Sequence, residues 1–147
     1  IDGIVGMSAD PDFTEELLWK KLPEEVKTRI MNDGVHEITW GAEKYPISRK
    51  LIEDGRENLI LEGGKNSLPV KCPVRLIHSI SDEEVDYTFA LKLVDNCISD
   101  NASVLLLKDS CHNMEDERDF KAMRTMVSEV IDSNVAGRFD LTSPGSG

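Results

Sequence analysis

The sequence predicts an α/β protein with three α/β/α layers around a mostly parallel sheet. Two successive units carry that prediction. In the first, Val74, Arg75, Leu76, Ile77 and His78 form a short β-branched and apolar run after Pro73, which suits a buried strand. It breaks into the polar stretch Ser79-Ile80-Ser81-Asp82-Glu83-Glu84, and residues 85–98 then place Val85, Phe89, Leu93 and Val94 at helical spacing. The second unit repeats the layout. Val104-Leu105-Leu106-Leu107 is an apolar strand, Lys108-Asp109-Ser110-Cys111-His112-Asn113 a loop, and residues 119–131 a helix with Phe120, Met123, Met126, Val127, Val130 and Ile131 at helical spacing. Strand-loop-helix units in succession imply parallel neighbours with both loops at the strands' carboxyl ends, where open α/β sheets place their sites.

The remaining elements follow in order. Residues 2–9 read as a strand through Ile4, Val5 and Met7, ended by Pro11. A helix starts at Thr14-Glu15-Glu16, whose carboxylates suit the positive end of the helix dipole. Another restarts at Leu22-Pro23-Glu24 with proline in its first turn, and Asn32-Asp33-Gly34 stops it. The pattern is irregular from 35 to 45, and helical spacing resumes over 46–61 through Ile47, Leu51, Ile52, Leu59 and Ile60. Residues 14–61 are therefore expected to be a helical insertion in one domain spanning 1–135. Residues 136–147, ending Ser-Pro-Gly-Ser-Gly, are expected to be a flexible tail. Glu62-Gly63-Gly64-Lys65-Asn66 resembles a phosphate loop only superficially, since Asn66 stands where a magnesium-holding hydroxyl belongs.

Composition excludes several function classes. The formal net charge is −11, from 28 acidic against 17 basic side chains, and such a surface repels nucleic-acid backbones and anionic lipid headgroups. No apolar run approaches the roughly 20 residues that span a bilayer. Cys72, Cys97 and Cys111 are odd in number and lack C-x-x-C spacing, which argues for free thiols in a reducing, intracellular setting. Ile1 is not a start residue, and the first residues read as a strand already under way. The chain is therefore expected to be a carboxyl-terminal segment.

The two loops bring an acid and a base to one end of the sheet. Asp82 and His112 would be the acid and base of a nucleophilic triad, in which a carboxylate fixes the imidazole tautomer and the imidazole activates a hydroxyl. Each has a plainer alternative: Asp82 as a helix cap, His112 as a solvated loop histidine. Glu83, Glu84 and Asp86 are rivals for the acid. The nucleophile is not in this sequence, which contains no G-x-S-x-G; Gly6-Met7-Ser8-Ala9-Asp10 fails at its last position. Ser8 is accordingly read as a strand-end hydroxyl. His36 and His78 are weaker candidates. No metal or cofactor is expected, because Cys72, Cys111, His78 and His112 lack zinc-ligand spacing and Tyr87 stands where a calcium loop needs glycine.

Residues 72–85 (CPVRLIHSISDEEV) with 108–112 (KDSCH) resemble the carboxyl-terminal part of the α/β-hydrolase superfamily. Its pattern is a strand, H-G-x-x-D-x-x-V-P with the triad acid, and a strand ending in D-x-D-H with the triad base. The chain is most similar to single-domain serine esterases such as mitochondrial acyl-protein thioesterases and acyl-glucuronide esterases. The resemblance implies a partial sheet of that fold, with Asp82 as acid, His112 as base, the serine and oxyanion hole upstream, and no cofactor. It implies a small acyl ester or an S-acylated protein as substrate, and leans towards the mitochondrion. It makes 14–61 a cap-like insertion in which Trp19, Trp40 and Tyr45, with Leu18, are candidates for an acyl pocket. Packing on the sheet is the competing and favoured reading for these aromatics. Ser79 stands where the pattern has glycine, Asp86 where it has proline, and Ser110-Cys111 where it has a small and an acidic residue. These departures support a second reading, a truncated or degenerate, non-catalytic interaction module. Oligomeric state is not legible.

Overall fold

The structure, a computed structural model, describes residues 1–139. In chain order the elements are β1 (Ile4–Met7), α1 (Glu24–Asp33), β2 (Val35–Trp40), β3 (Glu43–Ser48), α2 (Arg49–Glu57), β4 (Val74–Ser79), α3 (Thr88–Asn96), β5 (Ala102–Leu107) and α4 (Glu117–Phe139). They fall into two compact units, one made of residues 1–10 with 63 onward, the other of residues 11–62.

The first unit holds a parallel three-stranded sheet in the order β1-β4-β5. The central strand, β4, is buried along its whole length, which is why Val74 to His78 read as an apolar run without alternation. Its side chains still divide by face. Val74 and Leu76 pack with Ala90, Leu93 and Val94 of α3. Ile77 packs with Met114 and with Ala122, Met123 and Met126 of α4. Helices thus cover both faces, giving the three layers expected. Arg75, on the α4 face, is buried but satisfied, bonding Glu129 at 2.8 Å and both oxygens of Asn101 at 2.7 and 3.0 Å. α4 runs to Phe139, four residues into the expected tail; residues 140–147 lie outside the described residues. No helix among the described residues is long and apolar enough to cross a membrane.

The second unit is not the all-helical insertion expected over 14–61. Residues 35–48 form an antiparallel hairpin, with Val35 opposite Ser48 and Trp40 opposite Glu43. Val35, Ile38 and Thr39 are β-branched, and Gly41 (φ 61°) takes the first central position of the two-residue turn, where a tight hairpin turn calls for positive φ. Pro46 is tolerated because a two-stranded sheet has only edge strands. The helical spacing seen over 46–61 belongs to the shorter α2, opened by Ser48, whose Oγ accepts the N–H of Leu51 at 3.0 Å. Upstream, Thr14–Leu18 and Trp19–Lys21 make a single π-type turn and a 3₁₀ turn rather than a regular helix. Gly34 (φ 83°) closes α1, its N–H bonding the Ile30 carbonyl.

This unit has its own core of Leu18, Ile30, Ile47 and Ile52, flanked by Trp19, Leu22, Val26 and Ile38. Ile30 and Ile52 are fully buried, each contributing about 1.5–3 kcal/mol relative to exposure. Buried Asp12 closes the unit's two ends together. Its carboxylate accepts the N–H groups of Ile60 and Leu61, both at 2.9 Å.

Candidate active site

The site lies in the first unit, at the carboxyl ends of β4 and β5. After Ser79 the chain leaves the sheet and turns through residues 80–87, which include Asp82. The Asp82 side chain has no solvent exposure. One of its oxygens, Oδ1, accepts the N–H groups of Glu84 and Val85, both at 3.0 Å. These bonds hold a loop turn and not a helix end, since α3 begins only at Thr88, and they occupy only one oxygen. The other, Oδ2, lies 2.9 Å from Nδ1 of His112.

That contact settles the imidazole's tautomer. A carboxylate only accepts, so Nδ1 of His112 carries the proton and, in the neutral ring, Nε2 is the basic nitrogen. Burial raises the Asp82 pKa, but the Val85 N–H, the His112 hydrogen bond, the Glu84 N–H and the charge interaction with His112 more than reverse it. Its carboxyl is held below the usual carboxylate range. Asp82 therefore stays ionised. The rivals Glu83 and Glu84 are exposed beside it. Asp86 is turned to another task, accepting the N–H of Thr88 at 2.8 Å where α3 begins, and its pKa is lowered by the bonds to Thr88.

His112 is partly exposed, its side chain 29% accessible. It borders a cleft of about 300 Å3 shared with Ser81, Glu83, Glu84 and Cys111. Its backbone is held from the neighbouring strand end, where Ser8 donates its hydroxyl to the His112 carbonyl at 2.7 Å. Ser8 sits at φ 46°, a strained position for a residue with a side chain. The hydroxyl is spent on a backbone carbonyl, in keeping with the strand-end role read for it. Farther back, buried Ser110 bonds Asp119 of α4 at 2.6 Å, and the second Asp119 oxygen accepts the Asp116 N–H at 3.2 Å. The base loop is thus moored to the start of α4.

His78, weaker in the sequence, is fully buried against the acid. Its Nε2 is 3.0 Å from the Val85 carbonyl, so that nitrogen carries a proton, and 3.3 Å from Asp82 Oδ2. Its Nδ1 has no partner among the described residues. His36 is on the hairpin of the other unit, opposite Ile47.

The pocket candidates lie in the second unit. Trp19 is half-buried against that unit's core, with the Arg56 guanidinium 4.6 Å and the Lys27 ammonium 5.8 Å from its ring. Tyr45 is 45% exposed, and its hydroxyl donates to Glu43. Trp40 ends β2, and its side chain lies outside the described residues. Trp19 has the partners of a core residue of the second unit itself, not of the parallel sheet, and Tyr45 those of a surface residue.

Among solved structures, a hydrolase from Agrobacterium vitis superposes with a TM-score of 0.78 at 29% identity, covering 88% of this chain and 49% of that one. The described elements are those of an α/β-hydrolase fold. Mouse alpha/beta hydrolase domain-containing protein 10 shares the fold at a TM-score of 0.72 and 23% identity, over 89% of this chain and 52% of that one. In sequence, the α/β-hydrolase similarity extends to the bovine mitochondrial palmitoyl-protein thioesterase ABHD10, 28% identical over 117 residues. That match covers 78% of this chain but 37% of the relative. The chain thus spans less than half the length of the curated relatives it matches. No family model matches it.

Proposed function

We propose that this chain supplies the acid and the base of a serine hydrolase acting on carboxylic esters or thioesters. The observation that carries the reading is the 2.9 Å contact between buried Asp82 and partly exposed His112 at the carboxyl ends of adjacent parallel strands. The names of the relatives favour acyl thioesters among the substrates, S-acylated protein included, and a mitochondrial location.

In this reading, a serine from a segment outside the given sequence donates its proton to Nε2 of His112 as it attacks the acyl carbonyl. The imidazolium then holds two N–H groups, and ionised Asp82 stabilises the charge through Nδ1. His112 next returns the proton to the departing thiolate or alkoxide. Water repeats the cycle on the acyl-enzyme, with His112 again base and then acid. Asp82 stays charged throughout, as its lowered pKa requires.

The departures at positions 79 and 86 do not disturb this arrangement. Ser79 is absent from the positive-φ residues, so a side chain there meets no backbone strain, and Asp86 has found a bonding role at α3. The test is hydrolysis of a short acyl thioester by the full-length protein containing this sequence and, separately, by the 147-residue chain. Turnover by the former that is lost with His112→Ala is expected, with none by the latter. Turnover by the chain alone that depends on His112 would overturn the division of the triad.

A further inference from the structure

The acid and base sit on separate loops, and their 2.9 Å contact requires those loops to keep a fixed spacing. We infer that Ser79 is a positioning residue for the Asp82–His112 pair, its single hydroxyl oxygen tying the acid loop to the base loop. The inference rests on the hydrolase reading above.

Ser79 ends β4 on the α4 face and is fully buried. Its Oγ accepts the Ser81 N–H at 3.1 Å and the Ser110 N–H at 3.2 Å. Ser81 directly precedes the acid; Ser110 is two residues before the base. One oxygen therefore sets the departure of both loops from the sheet. The resemblance pattern has glycine at this position, and glycine has no side-chain atom that could accept either proton. The connection is therefore a property of this chain.

The surroundings of the two donors show why the loss of that oxygen would not be absorbed. Ser81 donates its own hydroxyl to the Lys108 carbonyl at 2.5 Å, a second bond between the same loops but from an exposed side chain that water can replace. The Ser110 N–H has no such recourse, because Ser110 is itself buried at 4% exposure. A buried donor stripped of its acceptor bears the full desolvation cost, so the loop shifts to find another partner. His112 shifts with it.

The experiment is proton NMR with amide exchange on the full-length protein containing this sequence and on its Ser79→Ala variant, which removes only the hydroxyl. The Ser81 and Ser110 amides are expected to exchange roughly tenfold faster, about the effect of one net hydrogen bond. Amides of the β4–β5 ladder keep their protection, and the His112 Nδ1 proton exchanges faster because its bond to Asp82 has loosened. An unchanged Nδ1 proton, or a ladder loosened as much as the loops, overturns the positioning role. In the full-length hydrolase, kcat is expected to fall roughly tenfold with KM unchanged. An inactive wild-type enzyme would count against the function and leave the NMR result standing. Unaltered loop exchange in an active enzyme would count against Ser79 alone.

Discussion

Replacing Asp82 with asparagine separates the two duties of that side chain. The amide has one oxygen and one NH2 group. Turning the oxygen towards Glu84 and Val85 keeps two hydrogen bonds and sets the NH2 against Nδ1–H of His112; turning it the other way sets the NH2 against two backbone N–H groups. In the first orientation the NH2 also faces the His78 Nε2–H, which lies 3.3 Å from Oδ2 of Asp82. A backbone N–H cannot give up its proton, whereas the His112 ring can move its own to the other nitrogen, so the first orientation wins. His112 must then move its proton to Nε2, the nitrogen needed to accept one from a serine. The expected loss in kcat is about 10^3- to 10^4-fold, or about 4–5.5 kcal/mol of transition-state stabilisation. Bonds to a charged acceptor are about 1 kcal/mol stronger than bonds to a neutral one, so the variant should be less stable by about 1–3 kcal/mol. That stability difference is pH-dependent. The folded pKa of Asp82 is depressed, so its contribution is present above the unfolded value near 4 and fades as pH falls through the lower folded value. Thioester turnover by the full-length protein, with 15N shifts of the His112 ring as a tautomer readout, checks both consequences. Activity within threefold of wild type, with the tautomer switched, would refute the reasoning.

Other variants test the supports separately. Ser8→Ala removes the bond to the His112 carbonyl and should lower stability by about 0.5–1.5 kcal/mol in thermal denaturation. It should leave serine-directed probe labelling in place; abolished labelling in a folded variant would revive Ser8 as nucleophile. Asp12→Ala removes the carboxylate that accepts the Ile60 and Leu61 N–H groups, and a loss of about 2–4 kcal/mol is expected from denaturant unfolding. Trp19→Ala should destabilise the second unit by about 3 kcal/mol or more, whereas Tyr45→Ala should stay within about 0.5 kcal/mol. Acyl-chain preference measured with both variants then tells a core aromatic from a pocket wall.

The parallel sheet was legible because strands covered on both faces are written as apolar runs without alternation: Val104–Leu107, half-buried, is wholly apolar, and Val74–His78, fully buried, is apolar but for Arg75 and His78. Asp82 and His112 were legible as a candidate pair from their place just after those runs. The hairpin was not. Its strands expose much of their length, so no apolar alternation marks them, and Pro46 with the helical spacing of Ile47, Leu51 and Ile52 pointed elsewhere. The serines at 8, 79 and 81 were equally hidden. A hydroxyl that bonds a backbone group across 27 to 104 residues leaves no local pattern, and only the strand-end position of Ser8 and Ser79 offered a hint. The same limit explains the departures: Ser79 read as a loss of glycine, and only the fold shows what its oxygen meets.

The most direct test of the central claim is fluorophosphonate labelling of the full-length protein, with and without His112→Ala. A serine activated by this imidazole should label rapidly in wild type and at least 100-fold more slowly, roughly, without it. Labelling that proceeds equally in both, in folded protein, would mean that the Asp82–His112 pair serves no nucleophile.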